Sequence, residues 1–188
     1  MSRRIKKRVS KNLGSKMGGL DKIQLNIMKG LQKTKGIFKK INIKREKKEK
    51  ELKTGKIKIS GLNGVLKETD ESQNIFNKLS KQILEQTELL GQKFKRFELL
   101  MRQLILGRED SDETLTPPIQ GDMSVDDVEN FLSALYENYE LLQTQYQDTK
   151  DETFFEMAMD TQLAISEINE IKGYLMERGR YDKSFDNI

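Results

Sequence analysis

The sequence predicts a mostly α-helical protein, and three observations point to that class. Residues 70–106 repeat an apolar residue every seven positions, and residues 125–147 carry apolar residues at spacings of three and four. Both patterns place apolar side chains along one side of a helix. Only 35% of the chain is hydrophobic while 34% is charged. That composition suits long helices that each bury one stripe better than it suits a broad layered core.

Charge is distributed very unevenly along the chain. Residues 1–60 contain 21 Lys and Arg against 4 Asp and Glu, residues 61–110 contain 8 of each, and residues 111–188 contain 5 against 18. The formal net charge of +4 therefore hides a basic start and an acidic end. A gradient this steep bears on binding partners more than on catalysis.

Residues 1–55 are predicted to form a basic arm that is flexible or folds on binding. Repulsion between like charges and several glycines oppose folding of the first twenty residues. Residues 21–43 hold apolar residues at roughly helical spacing, interrupted by Gly30 and Gly36, each of which costs a helix about 1 kcal/mol. This stretch predicts a marginal basic amphipathic helix that needs a partner. We expect residues 61–188 to fold without the arm.

Residues 56–69 are predicted to be a linker or a small β-hairpin at 56–66. Polar and apolar residues alternate from Lys56 to Ile59, and an Asn-Gly pair follows at Asn63. Alternation followed by Asn-Gly is typical of a short hairpin. A two-stranded hairpin by itself is marginal in water, so both interpretations stay open.

Residues 70–106 are predicted to form one long amphipathic helix, which would span about 55 Å at 1.5 Å per residue. Its second heptad position carries the polar Ser80 and Thr87, and Gly91 interrupts the run. These residues argue against a clean two-stranded coiled coil. The apolar stripe needs cover from another helix of this chain or from another copy. The residues predicted to pack there are Phe76, Ile83, Leu90, Phe94, Phe97, Met101 and Leu104.

The acidic end of the chain is predicted to contain a linker, a helical hairpin and a tail. Residues 107–123 combine an acidic run with a Pro-Pro pair, which indicates a linker. Residues 124–179 hold two stretches that each begin with a capping-box pattern, and the short break near Lys150 makes them an antiparallel hairpin. Gly179 is a natural stop, which leaves 180–188 as a tail. The packing residues predicted in this hairpin include Leu132, Leu135, Tyr139, Leu142 and Ile168.

The residues present offer little for catalysis. The chain has no Cys and no His, so it lacks the usual thiolate and imidazole ligands and the usual general base. The acidic group Asp110, Asp112 and Glu113 does not match the spacing of a calcium loop, and a solvated linker explains it. No serine motif of the hydrolase type occurs. We therefore expect no enzymatic activity, no catalytic residues, no cofactor and no metal site.

The basic arm is the feature of the sequence that points to a partner. Its cations would bind a polyanion through counterion release. Three partners stay open: nucleic acid bound without sequence specificity, an acidic protein surface that includes a neighbouring copy, and an anionic membrane surface. No run of 18 apolar residues occurs, so no transmembrane segment is expected. The residues predicted to contact nucleic acid or an acidic partner are Arg3, Arg4, Lys6, Lys7, Arg8, Lys11, Lys39, Lys40, Lys44, Arg45, Lys47 and Lys48.

These features together predict a non-enzymatic structural protein of a larger assembly. A basic arm joined to a helical body is a plan shared by many ribosomal and virion components. Because RNA would repel the acidic end, a virion or phage-particle component is favoured, located in the cytoplasm or in a virus particle and not secreted. The alternative is a nucleic-acid-binding packaging or regulatory factor whose acidic hairpin competes for its own arm. Protein subunits, further copies of the chain among them, are the expected partners, and no small-molecule substrate is expected.

Overall fold

The chain folds as a set of long α-helices in a computed structural model that describes residues 19–54, 70–106 and 125–185. No strand occurs within those three ranges, and the prediction of a mostly α-helical protein is confirmed. The possible hairpin at 56–66 and the linker at 107–123 lie outside the described residues. The helices are α1 (Gly19–Lys53), α2 (Asp70–Leu106), α3 (Val125–Thr149) and α4 (Glu152–Phe185).

The four helices form a ring in which each packs on the next along the chain and α4 closes on α1. Lys33 meets Glu167, while Lys48, further along α1, meets the earlier residue Asp151. Residue numbers therefore rise along α1 as they fall along α4, so these two helices are antiparallel. The contacts that join α1 to α2, α2 to α3 and α3 to α4 show that each of these pairs is also antiparallel. The arrangement is an up-down-up-down four-helix bundle.

Side chains from all four helices fill the interior of the bundle in two apolar clusters. In the larger cluster the ring of Phe38 stacks on Phe94 with centroids 4.4 Å apart, and Phe97 stacks on Phe131 at 5.0 Å. The smaller cluster surrounds Phe154 and lies nearer the connection between α3 and α4. Full burial of a large apolar side chain contributes roughly 1.5–3 kcal/mol. The side chains of the two clusters therefore supply the main stabilisation of the fold.

Helix α1 is the main difference between the predicted and the observed architecture. The sequence predicts a basic arm over 1–55 that is flexible or folds on binding, with a marginal helix at 21–43. Residues 19–53 instead form one continuous helix that contributes to both clusters. A stripe on α1 packs against α2 and α4, so residues 61–188 alone would lack one of the four walls of the core. Gly30 assists this packing, since a Cβ there would lie 2.9 Å from Cγ1 of Ile171. The buried stripe consists of Ile23, Ile27, Leu31, Phe38 and Ile41.

A two-residue connection joins α3 to α4. Lys150 takes a left-handed conformation with φ of 55°, which reverses the chain direction. The carboxylate of Asp151 accepts a hydrogen bond from the backbone N–H of Thr153 at 2.9 Å and so caps the first turn of α4. The capping residue is therefore Asp151, whereas the sequence pattern indicated Thr149.

Helix α4 continues past Gly179 to Phe185. The predicted stop at Gly179 is therefore wrong, and residues 180–185 of the predicted tail are helical. A single glycine costs a helix only about 1 kcal/mol, and no proline follows it. The side chain of Arg178 also donates a hydrogen bond to the carbonyl oxygen of Leu104 at 3.1 Å. That bond holds the far end of α4 against the last turn of α2.

Candidate functional site: the basic face of helix α1

Helix α1 is cationic over most of its length. Residues 22–45 contain eight Lys and Arg and no Asp or Glu. A helix with this composition repels itself unless carboxylates from elsewhere approach it. The bundle divides the cations of α1 into three groups, which face α4, α2 and solvent; the remaining one, Lys53, pairs with Glu49 of α1 itself.

The cations that face α4 are neutralised within the chain. Lys44 Nζ lies 2.8 Å from a carboxylate oxygen of Asp160 and 3.2 Å from one of Glu156. Lys33 pairs with Glu167 at 3.2 Å, and the buried Lys48 pairs with Asp151. The acidic hairpin α3–α4 therefore provides the counter-charges for one side of α1.

The pKa of Lys44 reports the strength of these contacts. Burial of the ammonium group lowers its pKa, but the hydrogen bonds to Asp160 and Glu156 and the charge attraction of both carboxylates together raise it by more, so the pKa lies above its ordinary value. Because this side chain stays charged at neutral pH, its ion pairs hold α1 against α4.

The cations that face α2 are also paired. Lys35 Nζ lies 3.2 Å from a carboxylate oxygen of Glu98. Arg45 is almost fully buried, contacts Glu88 at 3.1 Å and donates two hydrogen bonds to the side-chain oxygen of Asn42. A buried guanidinium with these partners fixes the position of α1 along α2.

The third group points away from the bundle, and we call it the outward lysine face. Each of its members is exposed, and none makes an ion pair or hydrogen bond with another described residue. The group spans 29 residues, and the 28 steps between its first and last members cover about 42 Å of helix at 1.5 Å per residue. Such a row attracts a polyanion or an acidic protein surface. Its members are Lys22, Lys29, Lys39, Lys40, Lys47 and Lys50.

The structure divides the cations that the sequence analysis selected as a binding site. Lys39, Lys40 and Lys47 lie on the outward lysine face. The other three described candidates are paired with carboxylates inside the bundle: Lys44, Arg45 and Lys48. The remaining candidates, Arg3, Arg4, Lys6, Lys7, Arg8 and Lys11, lie outside the described residues.

Sequence reasoning missed three members of the outward lysine face. Lys22 and Lys29 are seven residues apart, as are Lys40 and Lys47. That spacing keeps lysines on one side of a helix and could have identified Lys22 and Lys29. Lys50 carries no comparable signal, because it lies within a nearly continuous charged run.

The predicted packing residues all lie at the interior or at its edge. Most are buried, and Phe76, Leu104 and Tyr139 are half-buried. The fully or nearly buried members are Ile83, Leu90, Phe94, Phe97, Met101, Leu132, Leu135, Leu142 and Ile168. Their cover comes from the other helices of the same chain.

The polar residues in the heptad pattern of α2 are buried and meet polar residues of α3. Gln145 donates a side-chain hydrogen bond to Ser80 at 2.8 Å. One heptad further along α2, Asn138 donates to Thr87 at 3.1 Å. The two amides are also seven residues apart, so the pairs are one heptad apart on both helices. They fix the antiparallel register of α2 and α3.

The described residues contain no cluster of three or more Asp and Glu that could hold a metal ion. None of the described helices has an apolar stretch that would let it cross a membrane. Comparisons with protein-family models, with curated proteins and with solved structures give no match.

Proposed function

We propose that this chain is a non-enzymatic structural protein of a larger assembly, such as a virion or phage particle. The bundle supplies protein–protein contacts, and the basic N-terminal region contacts nucleic acid or neighbouring subunits. One observation carries the proposal. The chain neutralises the cations of α1 that face α2 and α4, yet leaves a row of six lysines facing solvent. Surface lysines that pair with no described residue over about 42 Å of helix favour an extended partner of opposite sign.

Residues 1–18 add to this basic region. They hold seven Lys and Arg and no Asp or Glu. Nucleic acid is the polyanion that such a density of cations binds without base-specific contacts. An acidic subunit of the same assembly offers the same charge.

Binding of the full-length protein to a labelled random DNA duplex tests the nucleic-acid part of the proposal. Six or more phosphate contacts predict a loss in affinity on the order of a thousandfold between about 50 and 200 mM salt. Substitution by Gln at Lys29, Lys39, Lys40 and Lys47 should weaken binding and reduce the salt dependence. The matched control substitutes four exposed lysines of α2, at Lys78, Lys81, Lys93 and Lys95. Absent or shallow binding by the unmodified protein would leave only a neighbouring subunit as partner.

A second function, autoinhibited nucleic-acid binding, is favoured by the ion pairs between the acidic hairpin and α1. Glu156 and Glu167 occupy cations that nucleic acid would otherwise reach. Changing both to Gln should then raise duplex affinity more than the same change at the exposed Glu137 and Glu140 of α3. If both variants gain the same duplex affinity, the gain comes from net charge alone and autoinhibition by the hairpin is excluded.

A further inference from the structure

Helix α4 exposes large apolar side chains in a row. Phe155, Met159 and Leu163 occur at four-residue intervals and are 40%, 41% and 53% exposed. The ring of Phe155 rests against Tyr146 of α3 with centroids 5.1 Å apart. Met159 and Leu163 make no aromatic ring contact of this kind with the described residues. Single exposed apolar residues are ordinary on a protein surface, whereas an adjoining set on one helix marks an interaction surface.

Carboxylates border this apolar row. Glu152 and Glu170 are exposed and pair with no described cation. Glu156 is also largely exposed, although it contacts Lys44 of α1. We call the apolar row together with Glu152 and Glu170 the α4 acidic patch. Its chemistry fits an apolar surface bordered by cations.

The outward lysine face of α1 has that chemistry and lies next to the α4 acidic patch. Helices α1 and α4 pack side by side, so one side of the bundle is cationic along α1 and acidic along α4. Ile43, which is 58% exposed, lies between Lys40 and Lys47 in the sequence. The surface formed by the two helices is therefore complementary to itself when rotated by half a turn.

We propose that this surface binds a second copy of the chain about a two-fold axis, with α1 of each copy on α4 of the other. The inference rests on the proposed assembly function and names the neighbouring subunit. A reciprocal contact of this kind is closed and stops at a dimer. The helical span from Lys22 to Lys47 is about 37 Å. Two helices whose axes lie 8–10 Å apart, each about 10 Å in diameter, form a face about 19 Å wide. The face therefore offers roughly 700 Å², close to the roughly 800 Å² per partner of a standard interface.

Sedimentation of the full-length protein across a concentration series tests the dimer. We expect a dimer at about 50 mM salt and dissociation as salt is raised, because screened charges lose their attraction. Lys29→Glu with Lys40→Glu should make the protein monomeric, and so should Glu152→Lys with Glu170→Lys. These side chains are exposed, so circular dichroism should show an unchanged helix content. A monomer of the unmodified protein at all concentrations, or a dimer that survives both reversals, would overturn the proposal.

Mixing the two charge-reversed proteins provides the sharper test. The first variant places two carboxylates on the outward lysine face of α1, and the second places two ammonium groups on the α4 acidic patch. Each should be monomeric alone, yet the mixture should form a one-to-one heterodimer through two restored contacts. Failure of the mixture to associate would reject the two-fold arrangement.

The apolar row is tested by Leu163→Glu, which should weaken dimerisation at least tenfold. Leu89→Glu is the matched control, because Leu89 is 56% exposed on α2, away from the proposed interface. Equal effects of the two substitutions would contradict the proposal. DNA binding separates this inference from the nucleic-acid part of the proposed function. The Glu152→Lys, Glu170→Lys variant keeps every cation of the basic region, so it should lose the dimer without losing duplex affinity.

Discussion

The side-chain amide of Asn138 donates a hydrogen bond to the hydroxyl oxygen of Thr87, 3.1 Å away and buried between α3 and α2. Thr87 in turn donates to the carbonyl oxygen of Ile83 at 2.8 Å. The hydroxyl is therefore both donor and acceptor, which leaves the amide of Asn138 dependent on it. The side-chain carbonyl oxygen of Asn138, Oδ1, has no hydrogen-bond partner among the described residues.

This dependence predicts that Thr87→Val costs about 1–3 kcal/mol of stability, because a buried amide loses its partner. Asn138→Leu should remove most of the loss when combined with it, with a coupling of about 0.5–3 kcal/mol. Urea unfolding of the two single variants and the double variant measures the coupling. Thr161→Val is the control, since among the described residues the Thr161 hydroxyl donates a hydrogen bond only to the carbonyl oxygen of Met157 in its own helix. A loss at Thr161 as large as at Thr87 would contradict the assigned role.

The ion pair between Lys48 and Asp151 predicts a large effect from a small change. The side chain of Lys48 is only 4% exposed, and Asp151→Asn removes its main counter-charge. The N-cap of α4 survives, because Asn and Asp cap helices about equally. We expect a loss of about 3 kcal/mol in the free energy of unfolding, and partial recovery when Lys48→Met is added.

The exposed pair between Lys172 and Glu129 is the matched comparison for Asp151→Asn. Its carboxylate side chain is 55% exposed, so Glu129→Gln should cost less than about 1 kcal/mol. Thermal or urea unfolding of the two charge-removing variants gives the comparison. Equal losses would show that burial of Lys48 has no energetic consequence.

Two glycines of α1 should respond in opposite directions to the same substitution. Gly36 faces open space, so Gly36→Ala should raise stability by about 0.5–1 kcal/mol through helix propensity. Gly30→Ala would place a Cβ against the buried Ile171 and should lower stability by about 1–3 kcal/mol. Thermal unfolding of the two variants tests this: the melting temperature should rise for Gly36→Ala and fall for Gly30→Ala. A gain at Gly30 would mean that α1 and α4 are further apart than described.

The raised pKa of Lys44 predicts a specific dependence on pH. A lysine whose pKa is raised on folding stabilises the folded state fully below its ordinary value of 10.5. That stabilisation is lost as the pH rises through the folded pKa. The stability difference between the unmodified protein and Lys44→Gln should therefore be constant near neutral pH and shrink above about pH 10.5. Lys40→Gln, at an exposed lysine that pairs with no described residue, is the matched control for the removal of one surface cation.

Much of the secondary structure could be predicted because α2, α3 and α4 carry regular apolar stripes. For α1 the apolar residues alone suggested a weak helix, because its stripe continues through polar and charged residues. The full stripe has spacings of four and three throughout and consists of Ile27, Leu31, Thr34, Phe38, Ile41, Arg45 and Lys48. Arg45 and Lys48 can occupy buried positions because carboxylates on α2 and α4 lie opposite them.

The distinction between binding and structural cations could not be predicted from the sequence. Lys44 and Lys47 look alike in a charged run, yet only Lys44 faces α4. Which helix covers α1 depends on the pairing of helices in the bundle, and a charge pattern by itself does not specify that pairing. The seven-residue spacing of exposed lysines was available in the sequence and predicts the outward face once α1 is known to be helical.

The order of the described helices gives their bundle an electric dipole moment across the helix axes. Helix α1 has 12 Lys and Arg against 4 Asp and Glu, and α3, diagonally opposite, has 6 acidic residues and no basic one. A charged partner that approaches this bundle therefore rotates it before contact, so that the side of opposite charge faces the partner. Orientation is thus selected during diffusion, at separations set by the ionic atmosphere, and dilute salt lengthens its reach.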